Sequence, residues 1–150
     1  MTATLRPALA EDAPALAALH ASSFGEPWSA AEIAELLAGP GGFGWVAEEA
    51  APEGFILARA IAGEAEILTV AVSPALRRQG LGARLVDAAA KAAVEAGADA
   101  LFLEVAVDNT AGLALYDRCG FARAGFRPGY YRRASGPPID AFVLRRDLTA

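Results

Sequence analysis

The residues best placed to do chemistry are Arg77-Arg78-Gln79-Gly80-Leu81-Gly82, which separate an apolar run at 67–72 from a long Ala-rich segment. A strand, a tight glycine loop and a helix start, in that order, make an anion site. The first N–H groups of a helix have no intrahelical partner, and the helix dipole places partial positive charge there. Gly80 and Gly82 let a bulky pyrophosphate reach those amides without meeting a Cβ atom, and Arg77 and Arg78 add charge at the same mouth. The expected ligand is a phosphorylated cofactor. A dinucleotide fingerprint would need glycine where the chain has Leu85, and no lysine follows either glycine as a P-loop requires. An ordinary glycine loop with two solvated arginines is the plainer account of the same residues.

Glu104 stands in the apolar run Leu101-Phe102-Leu103-Glu104-Val105-Ala106. A carboxylate there is costly unless it is hydrogen-bonded, exposed in a cleft or used in chemistry. One account is a solvated glutamate on the face opposite Leu103 and Val105. The other is a general base within one water of a substrate amine, whose reference pKa of about 7.7–8.0 leaves one proton to remove near neutral pH. Tyr116 lies on a helical stretch whose spacing with Leu113 and Gly120 sets one face on a sheet. It is either a half-buried packing phenol or a proton donor to a departing thiolate. Asn109 suits a helix N-cap, and from the same place its amide could meet the pantetheine arm of a coenzyme. The lone Cys119 reads as a small apolar residue.

These groups need elements to position them. A first strand is predicted at 4–9, then a helix capped by Asp12, with Pro14 in its first turn and Leu16, Leu19 and Phe24 on one side. Ser29-Ala30-Ala31-Glu32 is a capping box opening a second helix, with Ile33, Leu36 and Leu37 on its apolar side and Gly39-Pro40 at its end. Strands follow at 43–48, 54–62 and 65–72, the last apolar enough for a central strand covered on both faces. Leu81, Leu85, Ala89 and Ala93, with Val86 and Val94 beside them, mark a long amphipathic helix ending at Gly97. A strand at 101–107, a helix at 109–119 closed by Gly120, and strands at 121–126 and 139–144 complete the order. That order, β-αα-βββ-α-β-α-ββ, predicts a mixed α/β sheet with helices on both faces.

The chain has 150 residues, 55% of them hydrophobic and 21% charged, which fits one folded domain over 1–150 with a sizeable core. Nothing approaches the run of about 18 uncharged apolar residues that a membrane helix needs, and the first residues have no apolar signal-peptide core. One cysteine and one histidine leave neither an internal disulfide nor a metal-ligand cluster. The expectation is a cytoplasmic protein without a metal. A net charge of −5 argues against direct nucleic-acid binding and is compatible with a cationic acceptor, an amine or a basic peptide.

The pattern R-x-x-G-x-G between strand and helix resembles the acyl-CoA loop of the GCN5-related N-acetyltransferase (GNAT) superfamily. Glu104-Val105, Asn109, Leu115-Tyr116, Gly120-Phe121, Tyr130-Tyr131 and Asp140-Ala141, in this order and spacing, resemble one branch of it, as does Pro27-Trp28-Ser29. That branch is the bacterial ribosomal-protein alanine N-acetyltransferases, and the resemblance runs over about residues 5–144. It implies a GNAT-like, mostly antiparallel central sheet and acetyl-CoA as cosubstrate. It also implies direct transfer of acetyl to a protein N-terminal α-amine, that of alanine on a small-subunit ribosomal protein.

By the same resemblance Glu104 is the general base and Tyr116 the general acid. Val70, Ala71 and Val72 lie along the pantetheine arm. Arg77, Arg78, Gln79, Gly80, Leu81, Gly82 and Ala83 hold the pyrophosphate, and Asn109 helps fix the cofactor. Tyr130 and Tyr131 close over the acceptor peptide or anchor a loop. Two positions depart from the branch: Ala106 stands where arginine is usual, and Gly129 where asparagine is usual. Both lie near the acceptor's entry, which makes a small-molecule amine the alternative acceptor. A non-catalytic acyl-CoA-binding or protein-interaction module is a second alternative, and it would need neither Glu104 nor Tyr116.

Overall fold

The computed structural model describes residues 3–22, 24, 27–77, 79–131 and 136–148. Its elements run β1 (Thr4–Pro7), α1 (Ala13–Ala21), α2 (Ala30–Ala38), β2 (Gly42–Glu48), β3 (Pro52–Ile61), β4 (Glu64–Val72), α3 (Leu81–Glu95), β5 (Ala100–Ala106), α4 (Thr110–Arg118), β6 (Ala122–Tyr131) and β7 (Ile139–Asp147). The seven strands form one sheet in the order β1-β2-β3-β4-β5-β7-β6. Every pairing is antiparallel except β4 with β5. The predicted mixed α/β sheet with helices on both faces is therefore what the chain forms.

The two faces are sealed by different helices, as period-2 alternation along the strands requires. Leu85, Val86, Ala89 and Ala93 of α3 pack with Ile56, Leu101, Leu103 and Val105 on one face. Leu16 of α1 and Ile33 and Leu36 of α2 pack with Val46, Phe55 and Leu57 on the other. Helix α2 starts as its capping box predicts: Glu32 N donates to Ser29 Oγ at 3.1 Å and Ser29 N to Glu32 Oε1 at 3.0 Å.

Some details differ from the sequence expectation, each for a physical reason. Asp12 makes no side-chain cap on α1. Its carboxylate instead pairs with Arg6 of β1 at 2.8 Å and accepts from Leu9 N, so it is held well below the usual carboxylate range by the guanidinium. That clasp closes the turn after Pro7 and ends β1 two residues earlier than predicted. Val94 is half exposed, because the stripe of α3 facing the sheet is filled by Ala90 and Ala93. Phe24 lies beyond α1 and stacks on His20 at 4.2 Å. Among the described residues, no helix is long and apolar enough to cross a membrane.

The feature that matters most for function is a fault in β4. The register against β3 runs Leu57↔Thr69 and then Ala58↔Ile67, which leaves Leu68 as an extra residue. Such a bulge bends the strand and interrupts its alternation. Ala65 and Ile67 accordingly belong to the α3 core, while Thr69 and Ala71 face the α1–α2 side. The bent strand leaves its parallel neighbour. Pairing with β5 covers only Glu64–Glu66 against Ala100–Phe102, although both strands continue. The sheet opens at its middle.

Candidate active site

Glu104 sits two residues beyond the last β4–β5 pair, at the opening. Leu103 and Val105 point into the α3 core, so alternation sends Glu104 to the other face. The α1–α2 cluster draws strand residues only from β2, β3 and β4, and Glu104 lies beyond its reach at the floor of a cleft of about 420 Å³. Arg59, Glu66, Phe102, Arg127 and Val143 share the lining. The Glu104 side chain is 12% exposed. Its Oε2 is buried and has no hydrogen-bond partner among the described residues, although Arg127 Nε lies 3.2 Å away as an ion pair. A buried carboxylate oxygen without an aligned donor retains an unsatisfied lone pair, the property required of a proton acceptor.

Two further groups tune this floor. Burial, and then the Glu104 charge, push the Glu66 carboxyl above its usual range. Tyr131 donates its hydroxyl proton to the Glu104 main-chain carbonyl at 2.8 Å, which ties β6 to β5 under the site. Burial, with help from Tyr130 and Glu104, pushes the Tyr131 phenol up to about 12. Tyr130 meets that ring edge-on at 4.9 Å and stays 45% exposed at the rim, its phenol raised by burial and by Glu104. Tyr131 is thus tied to the β5 main chain, while Tyr130 remains at the rim. Gly129 adopts φ +62° and donates its N–H to Asp140 Oδ1 at 2.8 Å. Asparagine is the other residue that commonly accepts this left-handed conformation.

Tyr116 lies on α4 with its ring half-buried against the α3 core and edge-on to Phe121 at 5.7 Å. Burial holds the phenol well above its ordinary value. The phenol is thus a protonated donor near neutral pH. Cys119 is half-buried, and burial pushes its thiol up, which keeps it from being a ready thiolate.

On the other side of the opening, β4 turns through a short 3₁₀ segment, Pro74–Leu76, into the glycine loop. Gly80 takes φ +81° at the N-cap of α3, with no side chain capping the helix. The first helical N–H to find an intrahelical acceptor is that of Arg84, on Gly80 O at 3.1 Å. The amides of Leu81, Gly82 and Ala83 therefore lack intrahelical partners and suit a phosphate group. Arg77 Nε donates to Val72 O at 3.2 Å and Gln79 Nε2 to Ala75 O at 3.4 Å, folding the loop against the end of β4. Arg78 lies outside the described residues. Val70 and Val72 turn their side chains toward the α3 core and Ala71 is buried on the opposite face, while β5 pairs with β4 no further than Glu66.

Two expected cofactor residues also make contacts within the fold. A Cβ on Gly82 would lie 3.2 Å from Leu115 Cδ2, so a side chain there would press on the α3–α4 contact, whereas one on Gly80 would meet nothing within 4 Å. Asn109 caps α4, its Oδ1 accepting from Gly112 N at 2.9 Å. The sequence reading missed Glu66, Arg127 and His20. The first signals itself as a charge in an apolar strand, as Glu104 does; the second has no local signal. His20 is 2% exposed and spans the α1–α2 side of the site. Its Nδ1 accepts from Trp28 N at 3.1 Å, so its Nε2 carries the proton toward Thr69 Oγ1 at 3.0 Å, next to the β4 bulge.

The chain matches the family model described as acetyltransferase (GNAT) family over residues 13–121. It is 43% identical over 84 residues to the N-alpha-acetyltransferase RimI of Mycobacterium tuberculosis, a stretch covering 56% of this chain and 49% of that protein. It is 34% identical over 90 residues to the [ribosomal protein bS18]-alanine N-acetyltransferase of Escherichia coli, covering 60% of each. The matched stretch thus spans about half of these relatives. The solved structure of the Escherichia coli ribosomal-protein-S18-alanine N-acetyltransferase superposes with a TM-score of 0.88 at 27% identity, covering 98% of this chain and 94% of that one.

Proposed function

The chain belongs to the acetyltransferase (GNAT) family, and from that membership we propose that it transfers acetyl from acetyl-CoA to a protein N-terminal α-amine in the cytoplasm. The acceptor favoured by the similarity to the Escherichia coli enzyme is the terminal alanine of ribosomal protein bS18. In this reading the uncapped amides of Leu81, Gly82 and Ala83, with Arg77 and Arg78, hold the pyrophosphate. The free stretch of β4 at Val70, Ala71 and Val72 runs beside the pantetheine arm, and Tyr130 and Tyr131 border the acceptor peptide.

The acceptor ammonium first loses one proton to solvent, relayed by Glu104 or by one water, and Glu104 takes the second proton that the nitrogen sheds as it attacks. The nitrogen bonds to the thioester carbonyl carbon, the carbon–sulfur bond breaks, and the Tyr116 hydroxyl gives its proton to the departing sulfur. The products are an amide and a free thiol, and the two side chains exchange their protons with solvent afterwards. A base near the amine is needed because most of the acceptor is protonated below its pKa of about 7.7–8.0. The observation that carries the reading is the buried, unsatisfied Oε2 of Glu104 at the floor of the cleft, where β4 and β5 part.

The test is thiol release from acetyl-CoA with a short peptide beginning in alanine, read together with the peptide's intact mass. One acetyl added to the α-amine supports the reading. Glu104→Gln is expected to lower kcat/KM about 10²- to 10⁴-fold, the range of a positioned acid–base group. The loss should be smallest at high pH, where the amine is already free, with acetyl-CoA affinity unchanged. Acetyl-CoA binding without peptide product would shift the acceptor to a small-molecule amine. Product formation undiminished in Glu104→Gln would remove the base from the mechanism.

A further inference from the structure

Glu104 has one charged neighbour within ion-pair distance among the described residues, and it comes from the outermost strand. Arg127 of β6 places Nε 3.2 Å from Glu104 Oε2 while its side chain remains 57% exposed. Its guanidinium carbon is also 5.5 Å from the Tyr130 ring centroid. The register of β6 against β7 shifts between Arg127 and Tyr131. A bulge of this kind re-aims side chains, and here it sits beside the residue that reaches into the cleft. Arg59 and Glu66 line the same cleft, but neither pairs with Glu104.

We propose that Arg127 is a specificity-determining residue of the acceptor site: its guanidinium holds the place on Glu104 that an acceptor ammonium takes, and the acceptor enters by displacing it. The inference rests on the reading of Glu104 as the group that meets the amine. An N-terminal amine arrives mostly protonated near neutral pH. Two cations at one buried carboxylate repel each other, so the arriving ammonium and Arg127 exchange instead of sharing. The exchange is inexpensive for Arg127, which is already more than half in water and has the face of Tyr130 beside it. A neutral group cannot repeat it, since nothing compensates Glu104 for the charge it loses. Arg127 thereby sets a threshold that only a cationic end group passes.

The test measures binding of a fluorescent alanine-initial peptide by anisotropy, without acetyl-CoA, to the native protein, Arg127→Gln and Arg127→Ala. Removing the competitor is expected to tighten peptide binding about two- to fivefold, the scale of a partly exposed ion pair. Millimolar methylguanidinium should weaken peptide binding to both variants toward the native value and leave the native protein nearly unchanged, which a purely structural role for Arg127 would not produce. Arg127 is exposed on an edge strand, so both variants should fold. Weaker peptide binding in both variants, with acetyl transfer retained by the native protein, would overturn the proposal for Arg127 alone. An equal effect of methylguanidinium on all three proteins would do the same. Failure of every form to bind the peptide would overturn this proposal together with the protein α-amine reading.

Discussion

His20 Nε2 and Thr69 Oγ1 meet at 3.0 Å inside the protein, joining α1 to the residue that follows the β4 bulge. The same ring accepts from Trp28 N, so one neutral imidazole ties the α1–α2 connection to the strand whose bend opens the sheet. Protonation would leave Nδ1 as a donor facing a donor. Burial already pushes this histidine down to about 4. Between pH 6.5 and that value the unfolded chain binds a proton that the folded chain does not, so stability falls as pH falls through this window. The whole loss is about 3 kcal/mol. Urea midpoints between pH 4 and 7 should show this slope in the native protein and a flatter one in His20→Asn. Parallel slopes would mean that other groups account for the acid sensitivity. Asp12 and Glu48, both lowered chiefly by hydrogen bonds from Arg6, lose their contributions in a lower window, below their ordinary carboxylate values.

Gly82 and Gly80 make opposite predictions although they share one loop. A valine at 82 brings its Cβ within 3.2 Å of Leu115 Cδ2, a contact tighter than packed helices tolerate without moving. Gly82→Val should therefore destabilise the fold by about 1–3 kcal/mol, as overpacking does, with partial rescue by Leu115→Ala in a double-mutant cycle. Gly80→Ala meets open space and costs only the left-handed backbone, about 1–2 kcal/mol, with no rescue from Leu115→Ala. Thermal melts of the native protein, the three single variants and the two double variants decide it. An unchanged melting temperature with weaker acetyl-CoA binding in Gly82→Val would return this glycine to the ligand.

The order of elements was legible because its signals are local. The Ser29–Glu32 box, the stripe of α3 and the terminating Gly97 and Gly120 each act within a turn or two of chain. The placement of Glu104 on a strand and Tyr116 on a helix was legible for the same reason, a polar group set in an apolar period. What could not be read depends on partners far along the chain. Asp12 looks like a cap until Arg6 claims it, and that a side chain at Gly82 would press on Leu115 depends on a helix much further on. The parting of β4 and β5 turns on a bulge at Leu68, a residue whose type carries no turn signal. Arg127 reaches Glu104 through the pairing of β5 with β7 and β7 with β6, which no spacing along the chain reveals.

Ser29 tests the start of α2. Both halves of its capping box are made, at 3.1 and 3.0 Å, in an exposed position where no other contact competes. Ser29→Ala should lower stability by about 1 kcal/mol, measured by urea denaturation, and Ser29→Asp should retain most of it. Equal stability of the alanine variant would mean that burial of Ile33 and Leu36 sets the helix start unaided.

Tyr131 offers a separation of positioning from chemistry. Its hydroxyl donates to the Glu104 carbonyl at 2.8 Å, so it acts on the main chain that carries the carboxylate and not on the carboxylate itself. Tyr131→Phe leaves the ring and its edge contact with Tyr130 in place while removing one hydrogen bond to a partly buried carbonyl. The expected cost is about 1 kcal/mol of stability. A Glu104 freed to shift would be misplaced for the amine but would still have its proton-accepting oxygen, so kcat should fall several-fold with acetyl-CoA affinity unchanged. The two effects are read by thermal melting and by steady-state kinetics with the alanine-initial peptide. A loss as large as that of Glu104→Gln would instead place the Tyr131 hydroxyl among the groups that handle the proton, and the raised pKa of about 12 would then belong to the chemistry.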